Sequence, residues 1–151
     1  MGEFLSYLFG MNFMPHGHCF AWQPDILWLH VLSDATIALA YYSIPIALIY
    51  FVQHRKDLAF SWIFILFGAF ILLCGTNHVV AIVTMWVPVY RFEGGMKLLT
   101  ALVSIGTAIA TVRLLPQALA LPSPSQLAAA NAQLEIAHQQ QAAANAALVQ
   151  N

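Results

Sequence analysis

The chain has 151 residues, of which 61% are hydrophobic and only 7% charged, and its formal net charge is -1. Soluble domains carry roughly a quarter of their residues as charges, so this composition excludes an ordinary soluble domain and points to lipid as the solvent. Five basic residues against six acidic ones leave no basic surface for nucleic acid, and the two separate cysteines, Cys19 and Cys74, form neither a disulfide framework nor a zinc-finger spacing.

Residues 1–25 form an extracytoplasmic segment in this reading. It opens without a basic region or small-residue cleavage site, so the hydrophobic spans themselves are expected to direct insertion. Three spans follow, at about 26–52, 58–86 and 95–119, each meeting the ~20 residues that cross a bilayer. The loop after the first reads His54-Arg55-Lys56, whereas Arg91 in the loop after the second is balanced by Glu93. By the positive-inside rule the N-terminus lies outside and the C-terminus in the cytoplasm, and Trp22, Trp28, Trp86 and Tyr90 fall at the predicted outer ends. The membrane domain closes near residue 120, where Leu121-Pro122-Ser123-Pro124-Ser125 changes the composition. Residues 121–151 then read as a cytoplasmic helix capped by Ser123 or Ser125. Leu127, Leu134 and Leu148 fall at d positions of a heptad, with Asn131 and Asn145 at a positions. Asn at a favours a parallel dimer; an Ala/Gln-rich tail can also be a simple linker. The expected fold class is an all-α membrane protein of three transmembrane helices, followed by a dimeric cytoplasmic signalling helix cut before its output module.

The chemistry lies in ionisable groups inside the spans, which are costly there and mark function: Asp34, Cys74, His78 and Lys97. Cys74 and His78 stand at i, i+4, on one helix face and about 5–6 Å apart, close enough to share a metal ion. One thiolate and one imidazole without an oxygen ligand suit copper(I) better than calcium or magnesium, and zinc would want four ligands. A monovalent ion on a thiolate is also close to neutral, which matters in lipid. The alternative is a small buried hydrophobe beside a histidine that hydrogen-bonds a neighbouring helix. Asp34 lies at a depth matching His78, on a stripe with His30, Ile37, Tyr41, Ile44 and Pro45, and Pro45 is expected to kink the helix. On the third span Lys97, Thr100, Ser104, Thr107 and Thr111 form a polar face that lets helices approach. Lys97 either pairs with Asp34 or reaches outward to water.

The stretches Ser33-Asp34-Ala-Thr-Ile-Ala-Leu-Ala-Tyr41-Tyr-Ser-Ile44-Pro45, Ile49-Tyr50-Phe51, Phe67-Gly-Ala-Phe-Ile71-Leu-Leu-Cys74-Gly-Thr-Asn-His78 and Lys97-Leu-Leu-Thr-Ala occur in this order. Together, over about residues 22–116, they resemble the ethylene receptor family. The resemblance implies a homodimeric three-helix domain in which Cys74 and His78 hold copper(I) that binds ethylene. Asp34, Tyr41, Ile44, Pro45 and Ile71 would shape the site, and Lys97 would partner Asp34. The segment His16-Gly17-His18-Cys19 departs from the plant pattern and resembles bacterial members, implying a histidine-kinase output and a location in the bacterial inner membrane. His16, His18 and Cys19 are candidates for an outer copper-loading site, with an intersubunit disulfide through Cys19 as the rival reading. Asn77 adds an amide beside the ligands. Two other classes stay open: a copper-handling membrane protein without an ethylene function, and a plain membrane anchor. No nucleophile, base and oxyanion partner can be assembled, so this segment is not expected to be an enzyme.

Overall fold

The computed structural model describes residues 2–55 and 57–149, with side chains as far as Asn145. Lys56, part of the charge argument for orientation, lies outside the described residues, as does the side chain of Leu148. The described chain is all helical, without a strand: α1 (Gly2–Leu8), a 3-10 turn (His16–Phe20), α2 (Pro24–His54), α3 (Ser61–Thr84), α4 (Tyr90–Leu119) and α5 (Pro124–Val149). Three helices are long and apolar enough to cross a membrane, beginning at Pro24, Ser61 and Tyr90.

The helix bounds have local causes. Pro24 sits in the first turn of α2, where its missing N–H costs nothing. Residues 58–60, expected in the second span, instead form the turn into α3, and Phe60 takes a left-handed conformation (φ 60°) at its start. α4 begins five residues before the expected span, at Tyr90. Pro45 stays inside a continuous α2, buried.

α2 and α3 pack along two seams of period 3.5. Val31, Asp34, Ala38, Tyr41, Pro45 and Leu48 are buried or half-buried at alternating steps of three and four. Gly68, Ile71, Gly75, His78, Ile82 and Met85 do the same on α3. Alternation of this kind is the geometry of antiparallel bundle pairs. Two glycines lie on this seam, Gly68 facing Pro45 and Gly75 facing Tyr41 and Tyr42. Leu27, Val31 and Met85 form the buried cluster at one end, with Phe20 and Ile82 against it.

The N-terminal segment is fastened to that same end. Gly17 N–H donates to Met85 O (3.0 Å) and Tyr90 Oη–H to Met14 O (2.8 Å). Arg91 donates from Nη1 to Tyr7 O (2.9 Å) while its guanidinium lies 4.1 Å from the centre of the Tyr7 ring.

Residues up to Val112 form one compact unit and those from Arg113 a second. In the second, α5 starts with a capping box: Gln126 N–H donates to Ser123 Oγ (3.3 Å) and Ser123 N–H to Gln126 Oε1 (2.8 Å), with Pro124 as the first helical residue. Ser123 is therefore the cap, and Ser125 contributes only a hydroxyl contact to it. The heptad leucines Leu127 and Leu134 are exposed in the single chain.

Candidate functional site

The α2 and α3 seams meet at Asp34 and His78. His78 Nδ1 lies 2.8 Å from Asp34 Oδ1, with side-chain exposures of 32% and 19%. A carboxylate oxygen accepts, so Nδ1 carries the hydrogen; Nε2 has no partner among the described residues, and in the neutral imidazole it is the nitrogen that keeps a lone pair. The edge of the Tyr41 ring meets the imidazole, with centroids 5.9 Å apart. One helical turn away Cys74 is a free, half-buried thiol. Imidazole orientation is thus set from two positions on one face of α2, by a hydrogen bond and by an aromatic wall.

The turn of α3 that carries His78 is tied down further. Thr76 Oγ1–H donates to Leu72 O (2.9 Å), so Tyr42 Oη is the donor in its 3.3 Å contact with Thr76 Oγ1. On the opposite side, Asn77 Nδ2–H donates to Thr100 Oγ1 of α4 at 2.7 Å. The remaining hydroxyls of the α4 face turn inward on their own helix: Ser104 donates to Thr100 O, Thr107 to Val103 O and Thr111 to Thr107 O. They make no cross-helix hydrogen bonds of their own, and α4 packs only sparsely on α2 and α3, so the expected closing of this polar face onto the other two helices is not formed.

The other expected site residues fall as follows. Pro45 is buried on Gly68 and Ile71 is half-buried on the same seam, whereas Ile44 is 40% exposed and turns toward the outside of the α2/α3 pair. The expected Lys97–Asp34 pair is not formed: Lys97 Nζ meets Glu93 Oε1, four residues back on α4. The physical reason is proximity, since the i, i+4 carboxylate is reached without leaving the helix. Lys97 and Asp34 nevertheless line one cavity of about 400 Å³, together with His16, His30, Met85 and Glu93. His16 packs edge-on against Phe20 and His18 against Trp22, while Cys19 is free and exposed. Among the described residues no three His, Cys, Asp or Glu side chains converge as metal ligands, so His16, His18 and Cys19 are not brought together as a set.

Four pairings at this site escaped the sequence reading. Glu93 as the partner of Lys97 was recoverable from the i, i+4 rule, and Asp34 as the partner of His78 from their common depth. The Asn77–Thr100 and Tyr42–Thr76 contacts depend on how three helices rotate against one another, for which the sequence carried no signal.

Fold and site together define a class: a three-helix membrane domain with a thiol and an imidazole on one helix and a carboxylate from its neighbour orienting the imidazole. The chain belongs to the ethylene receptor family, matching the family model described as "Ethylene receptor 1-like, N-terminal domain" over residues 25–121. It is 41% identical over 102 residues to the proteins named Ethylene receptor 2 from Oryza sativa subsp. japonica and from subsp. indica. That match covers 65% of this chain but only 13% of each rice protein, so the chain spans a small part of the length of these relatives. No solved structure matches it.

Proposed function

We propose that this domain is the ethylene-binding sensor of a membrane receptor and that it holds copper(I) through the Cys74 thiolate and His78 Nε2. The observation that carries the reading is the Asp34–His78 hydrogen bond. Metal-ligating histidines donate their other ring N–H to a carboxylate, which fixes the tautomer and raises the basicity of the ligating nitrogen. A lone structural histidine has no need of an unpartnered Nε2 on a helix that carries a free thiol four residues back. The donor set also fits the metal: one soft sulfur and one imidazole favour copper(I), and two ligands leave a coordination position open. When bound, copper(I) supplies a soft centre for the π electrons of an uncharged alkene.

The chain's own residues do the rest. Asp34 orients His78, and Tyr41 limits the swing of its ring. Pro45, Ile71 and Gly75 pack the α2/α3 seam around the turn that carries Cys74. Ile44, on the outer flank, contributes apolar surface through which a hydrocarbon arrives from the lipid. Glu93 neutralises Lys97, which keeps the cation from competing for Asp34.

The same reading sets the N-terminus outside, with residues 121–151 leading to a cytoplasmic output, a histidine kinase in the full-length protein, and a homodimer formed through α5. The 4-3 spacing of Leu127 and Leu134 with Asn131 supports the dimer. His16-Gly17-His18-Cys19 supports a bacterial cell-membrane location. The domain itself is a sensor rather than an enzyme. Labelled-ethylene binding to membranes bearing this chain, with and without a copper(I) chelator, tests the proposal. Binding should fall to background on chelation and in Cys74→Ala and His78→Ala. Copper retained by Cys74 and His78 without ethylene binding would make this a copper-handling domain instead, and binding that survives chelation or both substitutions refutes the metal reading altogether.

A further inference from the structure

The turn of α3 that carries His78 reaches both of its neighbours through three consecutive side chains. Thr76 and His78 contact α2, through Tyr42 and Asp34, while Asn77 between them donates to Thr100 on α4. Successive residues stand about 100° apart around a helix, so a single turn can point to both sides. Among the described residues this is the one side-chain hydrogen bond that joins α3 to α4.

Its direction is fixed. The Thr100 hydroxyl gives its own hydrogen to Met96 O at 2.8 Å, so toward Asn77 it can only accept. Thr100 is 9% exposed, and the link is shielded from water. The amide's other end is left over: Asn77 Oδ1 is buried and has no hydrogen-bond partner among the described residues. Buried acceptors without donors are rare and costly in native interiors, and an apolar side chain at this position would carry none. Packing alone does not account for an amide here. A hydrogen bond is directional, whereas apolar contact lets one helix slide on the other, so the amide makes α4 follow the rotation of the turn that holds His78.

We propose that Asn77 is a positioning residue that couples the Cys74/His78 turn to α4, the helix leading out of the domain, through its hydrogen bond to Thr100. The inference rests on the sensor reading above. Occupancy of the site moves His78 against Asp34, the turn rotates, and Asn77 carries that rotation to α4 rather than α2 alone.

The test uses the full chain in lipid nanodiscs, with spin labels on non-natural amino acids at Ala69 and Val112, exposed positions on α3 and α4 that leave Cys74 free. Three perturbations are read as shifts in the label-to-label distance: Cu(I), Cu(I) with ethylene, and, without metal, His78→Ala. Each shift should shrink by half or more in Asn77→Leu and in Thr100→Val. The double variant should lose no more than either single one, because all three break the same link. Cu(I) affinity, from competition with a chromophoric chelator, should stay within about threefold in these variants, below the ~10-fold or greater loss that follows removal of a ligand-orienting contact.

A full-sized shift in Asn77→Leu, single effects that add, or no shift under any perturbation in the unsubstituted chain overturns the coupling role. If Asn77→Leu does not assemble, Thr100→Val removes the same bond from the other side and decides alone. The metal-free arm keeps the two readings apart. Unchanged Cu(I) affinity in Cys74→Ser defeats the copper reading, and the His78→Ala shift then determines whether Asn77 carries the link.

Discussion

Alanine at Gly75 and alanine at Gly68 are expected to change stability in opposite directions, although the two glycines occupy equivalent steps of one seam. A Cβ at Gly75 would stand 3.1 Å from Tyr41 Cβ and 3.4 Å from Tyr42 Cε1. Carbon contacts rest at about 3.5–4.0 Å, so α2 and α3 would have to part by roughly 0.5 Å there. No rotamer relieves the contact, because Tyr41 Cβ moves only with its backbone. Overpacking of this kind costs about 1–3 kcal/mol, against which alanine recovers up to about 1 kcal/mol of helix propensity over glycine. The net expectation for Gly75→Ala is a loss of about 0–2 kcal/mol. At Gly68 the added Cβ would meet Pro45 Cβ at 3.8 Å, an ordinary contact. Gly68→Ala should therefore keep the propensity term and gain about 0.5–1 kcal/mol.

Reversible unfolding in mixed micelles of lipid-like and denaturing detergent measures both. Tyr41 also touches His78, so Gly75→Ala should weaken Cu(I) binding about tenfold as the ring is pushed aside, while Gly68→Ala leaves it unchanged. If Gly68→Ala is as destabilising as Gly75→Ala, or if Gly75→Ala stabilises the domain, the close-approach argument is wrong.

Three further outcomes are expected. Asp34→Asn should lower Cu(I) affinity about 10–100-fold, and Asp34→Ala no less, in the chelator competition; equal affinity in all three proteins would remove the carboxylate from the site. Arg91→Ala loses the hydrogen bond to Tyr7 O and the stacking on the Tyr7 ring, worth about 1–2 kcal/mol together, so limited proteolysis should cut residues 2–14 faster while the three long helices stay protected. Tyr42→Phe removes a long 3.3 Å contact to Thr76 and should cost under about 1 kcal/mol in the same unfolding assay.

Much of this protein was legible in its residues because lipid imposes strong constraints. Three apolar runs had to be helices, since only there are all backbone groups satisfied without water, and their centres were placed correctly from length and composition alone. Cys74 and His78 stood out for the same reason, as an i, i+4 pair of metal-binding types where polar groups are costly. The helix ends shifted because turns are local: Phe60 and the Val87–Val89 corner set where α3 begins and α4 starts. The N-terminal strap was not foreseen, since Arg91 on Tyr7 and Tyr90 on Met14 join residues far apart in sequence.

What the sequence by itself determined is therefore the class of fold, the membrane as solvent and the helix face on which thiol and imidazole lie, all set by periodicity and by the cost of polarity in lipid. Only the tertiary structure decided partners. Asp34 chose His78 rather than Lys97, because the α2/α3 seam brings carboxylate and imidazole to hydrogen-bond distance while Glu93 already engages the lysine. Asn77 turned toward Thr100 for a reason of the same kind: the packing of α3 on α2, with Gly68 against Pro45 and Gly75 against Tyr41 and Tyr42, leaves the Asn77 side of α3 facing α4.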